Sequence, residues 1–336
     1  MLHALNGTSI ISGFHCNAES RHALFLSYCA VSTREKMKSS VDVDFLGIGA
    51  PKCGTTWLFH ALGQHPRICL SEPKEVNYFN TEDFSLPLES VEAGAVEYIN
   101  QNHKKTIAWY NRFFRHCAAD TIKGEFSPTY YCDRDAVRRI RRHFPDAKLL
   151  VCLRKPADCL YAIYWARRRY RKIETNETFE KALAADRRYL NYGYFGKHLE
   201  KVFHFFDASQ VKVVLLDDIA GRPEATIREV YGFLDLEPDV PLDLKRIPKN
   251  AAKKSGPLSL EAAMRRFSAF MIRHDQAVLL RRLRRLGLRE AALKLSTVET
   301  RYPEMRAETR MRLSDEYCKD LVKLEQLLGR DLDAWK

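Results

Sequence analysis

The 336-residue sequence lacks the long apolar run that a membrane-spanning helix needs. Such a helix takes roughly 18 or more consecutive apolar residues. The longest candidate near the start of the chain, ALFLSYCAV at 23–31, is too short. The sequence therefore gives no support for a membrane anchor or for secretion, and we expect a cytoplasmic protein.

The sequence also lacks the cysteine and histidine patterns of a zinc site. Its nine cysteines are odd in number and include no C-x-x-C pair and no Cys/His spacing typical of zinc ligation. We therefore expect no metal, and we expect the cysteines to be buried or inert thiols in a reducing compartment.

Acidic residues are fewer than basic ones, with 43 Asp and Glu against 55 Lys and Arg and a formal net charge of +12. This excess favours an anionic ligand such as a nucleotide, an acidic glycan, nucleic acid or a membrane surface, and a solvated basic face is the alternative. The basic run RRLRRLGLREAALKL at 281–295 is predicted to be such a solvated helical face. A peripheral membrane contact through this run has no further support.

After residue 40 the chain alternates apolar β-type runs with helical patterns. The predicted strands are 41–50, 121–126, 147–154 and 211–216, and the first predicted helix is 55–65. Continuous apolar strands that alternate with helices are typical of a parallel sheet covered on both faces. The sequence therefore predicts an α/β fold in three layers, with a central parallel sheet flanked by helices.

One domain is expected over 41–336, and its C-terminal part, 258–336, is predicted to be helical. Residues 1–40 lack clear periodicity and are rich in Ser, His and Asn. We expect them to form a poorly structured extension, with Met37 as an alternative true start of the chain.

The stretch GIGAPKCGTTWLFHAL at 47–62 joins the end of a strand to the start of a helix through a glycine turn. Backbone N–H groups at such a turn form an anion site, in which Gly54 allows close approach and Thr55 and Thr56 add hydroxyl donors. A triphosphate-binding loop places Lys-Ser/Thr after its second glycine, whereas here Lys52 precedes Gly54. The pattern predicts an anion site and disfavours triphosphate chemistry.

PKCGTTW at 51–57 resembles the 5′-phosphosulfate loop of sulfotransferases that use 3′-phosphoadenosine 5′-phosphosulfate (PAPS), and the resemblance extends in order over about 43–256. It implies that Lys52 contacts the sulfuryl group and its bridging oxygen, that the loop holds the 5′-phosphate, and that Trp57 stacks on adenine. The donor-binding residues implied for this loop are Lys52, Cys53, Gly54, Thr55, Thr56 and Trp57. Cys53 replaces the usual Ser or Thr and keeps only its backbone N–H as a donor.

EVNYF at 75–79 resembles the E-x-x-F-F element of glycan sulfotransferases, in which the glutamate is the catalytic base, and Glu75 is the matching residue. Transfer to an alcohol requires a base that removes the hydroxyl proton. We expect Tyr78 and Phe79 to desolvate this carboxylate and so to raise its pKa. Lys74, beside it, is a predicted substrate-binding residue.

IKGEFSPTYY at 122–131 resembles the E-K-[ST]-P-x-Y element that lines the acceptor cleft of heparan-type enzymes. The resemblance implies that Glu125, Ser127 and Tyr130 bind substrate. Phe126 stands where those enzymes carry a lysine, so the element does not specify a heparan-like acceptor.

KLLVCLRKPADCLYAIY at 148–164 resembles the element that binds the 3′-phosphate of PAPS. It implies that Arg154, at the end of a strand, binds this phosphate, and the alternative is a salt bridge to Asp158. Ala162 replaces a serine that normally shares the phosphate. Its loss costs roughly 1.5–3 kcal/mol unless an arginine at 167–169 compensates.

The resemblance also implies donor contacts later in the chain. Tyr192 is predicted to approach the nucleotide, and KNAAKKSGP at 249–257 resembles a basic loop that closes over the 3′-phosphate. The residues assigned to this loop are Lys253, Lys254, Ser255 and Gly256.

Together these elements predict a sulfotransferase that moves a sulfuryl group in line from PAPS to a hydroxyl or amine, with 3′-phosphoadenosine 5′-phosphate (PAP) as the product. The expected acceptor is a saccharide or glycoconjugate, a glycolipid or a small metabolite, and nucleic acid is not expected. Two alternatives stay open. One is a P-loop nucleotide kinase or nucleotidase, and the other is a non-catalytic anion-binding descendant of the enzyme, which Ala162 and Phe126 favour.

Overall fold

The computed structural model describes residues 42–81, 102–133, 135–169, 177–247, 253–255, 297–299 and 302–336. Within these residues, five parallel strands form one sheet in the order β2-β3-β1-β4-β5. They are β1 (Phe45–Gly49), β2 (Ile68–Leu70), β3 (Ile122–Phe126), β4 (Lys148–Leu153) and β5 (Val211–Leu215). The predicted parallel sheet is therefore confirmed, and the predicted extension at 1–40 lies outside the described residues.

The helices of the described residues connect and cover these strands. They are α1 (Thr55–Leu62), α2 (Ile107–Asn111), α3 (Ala136–His143), α4 (Pro156–Arg169), α5 (Phe179–Ala185), α6 (Arg188–Asn191), α7 (Phe195–Phe205), α8 (Leu216–Gly221), α9 (Pro223–Phe233) and α10 (Ala307–Leu328). Short 3-10 turns lie at Arg112–Phe114, Ala208–Gln210, Leu244–Arg246 and Asp333–Trp335. None of the described helices combines the length and the apolar character that crossing a membrane requires.

The central strands are buried over nearly their whole length, as their apolar sequences require. All five residues of β1 are buried, and in β4 only the first residue, Lys148, is partly exposed. Parallel strands covered on both faces need such continuous apolar runs. The sheet core therefore follows directly from the strand sequences.

Gly47 and Phe126 fit one another across β1 and β3. A Cβ atom on Gly47 would lie 2.0 Å from Cδ1 of Phe126, so only glycine leaves room for this ring. Phe126 is fully buried and makes edge contacts with Phe45 and Phe59. Phe126 is thus part of the core.

The C-terminal part of the chain is only partly as predicted. Helix α10 confirms the helical expectation for its own residues, but Thr297–Glu299 form a strand, β7, which pairs antiparallel with β6 (Lys253–Ser255). The helical prediction is wrong at β7 because its backbone groups bond to a neighbouring strand. Residues 256–296, including the basic run at 281–295, lie outside the described residues.

A disulfide joins Cys69 on β2 to Cys117, 48 residues further along the chain. The expectation that all nine cysteines are free thiols is therefore wrong for Cys69 and Cys117. It holds for the buried cysteines Cys53, Cys132 and Cys152, since burial raises their pKa values, in Cys152 to about 12. A thiol with so high a pKa is unreactive near neutral pH.

Replacing Cys69 and Cys117 by serine is expected to lower the free energy of unfolding by roughly 2–4 kcal/mol, because the disulfide closes a long loop in the unfolded chain. Denaturant unfolding of the double variant and of the wild type measures this change. Cys318→Ser, at an exposed free cysteine, is the matched control. Equal stability of the wild type with and without reductant would contradict the prediction.

Candidate active site

The candidate site residues that follow β1, β2 and β4 lie at the carboxyl ends of these parallel strands. β1 lies between β3 and β4. After β1 the chain forms β2 and β3 on one side of β1, and it then crosses to form β4 and β5 on the other side. Ligands of open α/β sheets bind at such a switch point, outside the carboxyl ends of the strands. The segments that follow β1, β2, β3 and β4 all begin there.

The loop after β1 leads into helix α1. The Ala50 N–H donates to Cys152 O at 2.8 Å, which ties the loop to β4. Gly54 is the N-cap of α1 with a φ of 103°, and a Cβ there would lie 3.1 Å from Cδ1 of Leu216. The first N–H groups of a helix have no intrahelical acceptor, and a glycine N-cap offers them no side chain. This geometry suits an anion.

The side chains of the loop divide between solvent and core. Lys52 is exposed and has a φ of 63°. Thr55 is buried, and Thr56 and Trp57 are partly buried, with Trp57 packed against the core. The loop therefore presents its amides, one lysine and parts of Thr56 and Trp57.

Cys53 turns its thiol into the core. Its side chain is fully buried, and Sγ lies 3.4 Å from Pro51 O and 3.5 Å from Sγ of Cys159. Burial raises the pKa of this thiol well above its usual value. Cysteine is accepted here in place of serine because the side chain packs inward.

Arg154, directly after β4, points back to this loop. Its Nη1 donates to Lys52 O at 3.4 Å. Asp158, the partner in the alternative interpretation, instead accepts a hydrogen bond from Arg310 at 2.8 Å. The salt bridge between Arg154 and Asp158 is therefore not formed. The guanidinium group lies beside the loop that follows β1.

Two of the arginines expected to compensate for Ala162 are engaged within the protein. Arg167 is 7% exposed, and its Cζ lies 4.0 Å from the ring centroid of Tyr189 and 5.8 Å from that of Tyr192. Arg168 donates to a tyrosine hydroxyl on its own helix. Tyr192 is itself buried under Arg167. The approach of Tyr192 to the nucleotide stays a prediction, and in this structure its ring packs in the core.

Glu75 and Lys74 form an ion pair at the same end of the sheet. Lys74 Nζ lies 2.8 Å from Glu75 Oε1, and 51% of the Glu75 side chain is exposed. Burial of part of the carboxyl group acts to raise the pKa of Glu75. The charge and hydrogen bond of Lys74 and the charge of Lys52 outweigh this effect, and the pKa is lowered. The predicted upward shift is wrong because these ammonium groups lie close to the carboxylate.

Glu125, Ser127 and Tyr130 are fully buried, so they do not line a cleft that is open to solvent. The Val76 N–H donates to Oε1 of Glu125 at 3.3 Å, and the Ser127 hydroxyl donates to the same oxygen. Burial raises the pKa of Glu125 to about 7, although these bonds and Tyr130 act to lower it. The predicted substrate contacts of these three residues are corrected, because their side chains face the backbone of the Glu75 loop.

Two residues that hold the Glu75 loop are absent from the predictions. Asn102 Nδ2 donates to Val76 O at 2.8 Å, and Arg139 Nη1 donates to Phe79 O at 2.7 Å. Arg139 lies in the basic helix sequence AVRRIRRH, which has the composition of a solvated face. No sequence signal distinguishes it from its neighbours, since its role depends on the packing of α3 against this loop.

Of the four residues in the last predicted donor loop, three lie within the described residues and one does not. Lys253, Lys254 and Ser255 form strand β6 where a loop was predicted, because they pair with β7. Gly256 lies outside the described residues. The role of these four residues stays a prediction.

Two groups of side chains in the described residues are close enough together to share a metal ion. One consists of Cys69, His116 and Cys117, in which the cysteines form the disulfide. The other consists of acidic residues in the C-terminal segment, Glu325, Asp331 and Asp333. Neither group contains a residue of the candidate site, and the expectation that no metal takes part stays a prediction.

Comparisons with known proteins agree with this geometry. The family model described as "Sulfotransferase domain" matches residues 42–259, more than half of the chain. The human bifunctional heparan sulfate N-deacetylase/N-sulfotransferase 2 is 26% identical over 208 residues, which cover 58% of this chain and 22% of the relative. The mouse enzyme of the same description numbered 4 is 28% identical over 215 residues, with the same coverage. The chain thus spans about a fifth of the length of these relatives.

Among solved structures, a sulfotransferase from Alicyclobacillus acidocaldarius superposes with a TM-score of 0.63 at 23% sequence identity. The superposition covers 88% of this chain and 99% of that one. At this identity the likeness supports the α/β fold, and it carries no argument about the substrate.

Proposed function

Because the chain belongs to the sulfotransferase family, we propose that it transfers a sulfuryl group from PAPS to a hydroxyl or amine of a saccharide or glycoconjugate. The observation that carries the proposal is that Lys52 and Glu75 follow two strands of one parallel sheet, β1 and β2, at its carboxyl end. The charge of Lys52 also acts to lower the pKa of Glu75, which supports a common site for the candidate leaving-group lysine and the candidate base. This site lies beside a glycine-capped helix start that suits an anion.

The residues present fit the proposed donor. The amides at the start of α1 and the Thr56 hydroxyl would hold the 5′-phosphate, Trp57 would contact adenine, and Arg154 would bind the 3′-phosphate. When bound, PAPS supplies a sulfuryl group whose bond to the 5′-phosphate oxygen breaks as the acceptor attacks. Lys52 would neutralise the negative charge that develops on this oxygen.

Glu75 is suited to accept the acceptor's proton. Its lowered pKa keeps the carboxylate ionised at neutral pH. Lys74 bonds to Oε1 and so fixes the carboxylate, and half of the side chain is exposed, which leaves Oε2 for the acceptor. A positioned carboxylate of this kind is a general base.

An amine or hydroxyl of an acidic glycan is the acceptor class with most support. The curated relatives carry heparan sulfate in their descriptions, and the chain has a net charge of +12. The expected cytoplasmic location is not part of this proposal, because the disulfide between Cys69 and Cys117 is unusual for a reducing compartment.

Calorimetric titration with PAP tests the donor assignment, with adenosine 5′-phosphate and magnesium-ATP as control ligands. Arg154→Ala is expected to weaken PAP binding by about 10–150-fold, the effect of one lost charged hydrogen bond. Its affinity for adenosine 5′-phosphate, which has no 3′-phosphate, is expected to stay unchanged.

Arg138→Ala is the matched control, because Arg138 is exposed on α3 and pairs with Asp135. If the wild type binds PAP no better than adenosine 5′-phosphate, the donor assignment is wrong. Preference for magnesium-ATP would instead favour the kinase alternative.

A further inference from the structure

Four successive backbone N–H groups of the Glu75 loop, residues 75–78, bond to one short segment, 125–130, which comprises the end of β3 and the residues that follow it. The acceptors are Phe126 O for Glu75 at 2.9 Å, Glu125 Oε1 for Val76 at 3.3 Å, Ser127 Oγ for Asn77 at 2.9 Å and the Tyr130 hydroxyl for Tyr78 at 2.9 Å. Three of these acceptors are side chains. The loop therefore depends on side-chain chemistry, and not only on sheet pairing, for its conformation.

The loop backbone needs this support. Glu75 has a φ of 65° and Asn77 a φ of 53°, both in the left-handed region. Residues with a Cβ atom adopt this region at a cost, and they persist there only where surrounding contacts hold them. At Glu75 this conformation also sets the direction in which the carboxylate leaves the backbone.

The carbonyl side of the same loop is held as well. Asn102 donates to Val76 O, and Arg139 donates to both Tyr78 O and Phe79 O. The loop is thus bonded on both its donor and its acceptor sides by side chains from other parts of the chain. A small displacement of the loop requires several of these bonds to break.

We propose that Glu125, Ser127 and Tyr130 form a positioning clamp that holds the Glu75 carboxylate in the orientation needed for proton transfer. The inference rests on the proposed function, because it assigns the clamp to the base of that reaction. The three residues do not touch the substrate, and their effect on the reaction passes through Glu75.

Burial of the clamp supports a specific role. A carboxyl group and two hydroxyls that are fully buried are costly to a fold unless they are hydrogen-bonded. Here their bonds go to the amides of residues 76–78, that is, to the loop that carries the base. Glu125 and Ser127 also bond to one another, so the acceptor oxygens keep a fixed spacing.

The experiment combines hydrogen exchange with kinetics for Tyr130→Phe and Glu125→Ala. Each variant removes a side-chain acceptor, so we expect faster exchange of the amides of residues 76–78. We also expect kcat for transfer from PAPS to N-desulfated heparin to fall by about 10–100-fold with unchanged PAP affinity, as for a misplaced catalytic group. Glu125→Gln keeps an acceptor oxygen and is expected to restore most of both properties.

Tyr231→Phe is the matched control, because it removes a buried tyrosine hydrogen bond to Ala61 O, away from the loop. The decisive readout is a double-mutant cycle with Glu75→Gln, in which Tyr130→Phe should cause no further loss of kcat. Additive losses, or unchanged exchange in Tyr130→Phe, would overturn the clamp. If Glu75→Gln keeps wild-type activity, the base assignment fails. If N-desulfated heparin is not sulfated, the acceptor proposal fails. The clamp is then tested by hydrogen exchange of the amides of residues 76–78 alone.

Discussion

Glu75→Gln is expected to lower kcat for sulfuryl transfer by about 10²–10⁴-fold, the usual contribution of a general base. Glutamine keeps the size of the side chain and can still accept a hydrogen bond from Lys74, but it cannot take up the acceptor's proton. Affinity for PAP should stay unchanged because the carboxylate does not contribute to the proposed donor site. Transfer from radiolabelled PAPS to N-desulfated heparin and calorimetry with PAP measure the two quantities.

Glu200→Gln is a close control for this substitution. Glu200 pairs with Lys323 at 2.9 Å and is 60% exposed, which matches the surroundings of Glu75, but it lies on α7 and not in the site. Equal activity losses in the two variants would indicate a general effect on the protein and would contradict the role of Glu75 as the base.

The pH dependence separates Glu75 from the other carboxyl group nearby. The base must be ionised, and the pKa of Glu75 is lowered from 4.5, so activity should fall only as the pH drops below that value. The pKa of Glu125 is raised to about 7. An acid limb of kcat/KM near pH 7 would therefore point to Glu125, and an acid limb below 4.5 would agree with Glu75.

The sheet could be predicted from the sequence because its central strands are long, apolar and buried on both faces. β2 was missed, because three residues are too few to show the alternation that is typical of a strand. They also lie within 65–79, a stretch that was interpreted from its charged residues. The disulfide was also missed. Cys69 and Cys117 are far apart in the chain, and only the packing of β2 against the segment after α2 brings them together.

Residue types in the candidate site were easier to predict than their orientations. Lys52 and Gly54 lie where the pattern placed them, because a glycine turn between a strand and a helix fixes the local backbone. Glu125 and Tyr130 were assigned to a cleft, but the structure turns both into the core. Sequence alone could not separate these cases, since a buried polar clamp and an exposed binding site call for the same polar residue types.

The pKa of Glu75 shows the same limit in electrostatic terms. Its aromatic neighbours in the sequence suggested desolvation and a raised pKa, and burial does act in that direction. The sign of the net shift is decided by where two flexible ammonium groups lie. Lys74 is adjacent in sequence and Lys52 is not, and only the folded backbone brings both to one carboxylate.

Lys52→Ala is expected to lower kcat by about 10²–10³-fold, as for the loss of one group that stabilises developing negative charge. The charge on the bridging oxygen grows as the sulfuryl group leaves, so the ammonium group acts more strongly in the transition state than on the bound donor. The loss should therefore appear in kcat more than in the affinity for PAP. Steady-state kinetics with PAPS and calorimetry with PAP measure the two effects.

Lys212→Met serves as the control, because Lys212 lies near the start of β5, at the opposite end of the sheet, and pairs with Glu229. It removes the same charge from the protein without removing it from the site. Lys52 also lowers the pKa of Glu75, so Lys52→Ala should move the acid limb of kcat/KM upward, a shift that Lys212→Met should not cause. A loss of kcat without this shift would mean that Lys52 and Glu75 act at separate places, which would contradict the shared site on which the proposed mechanism depends.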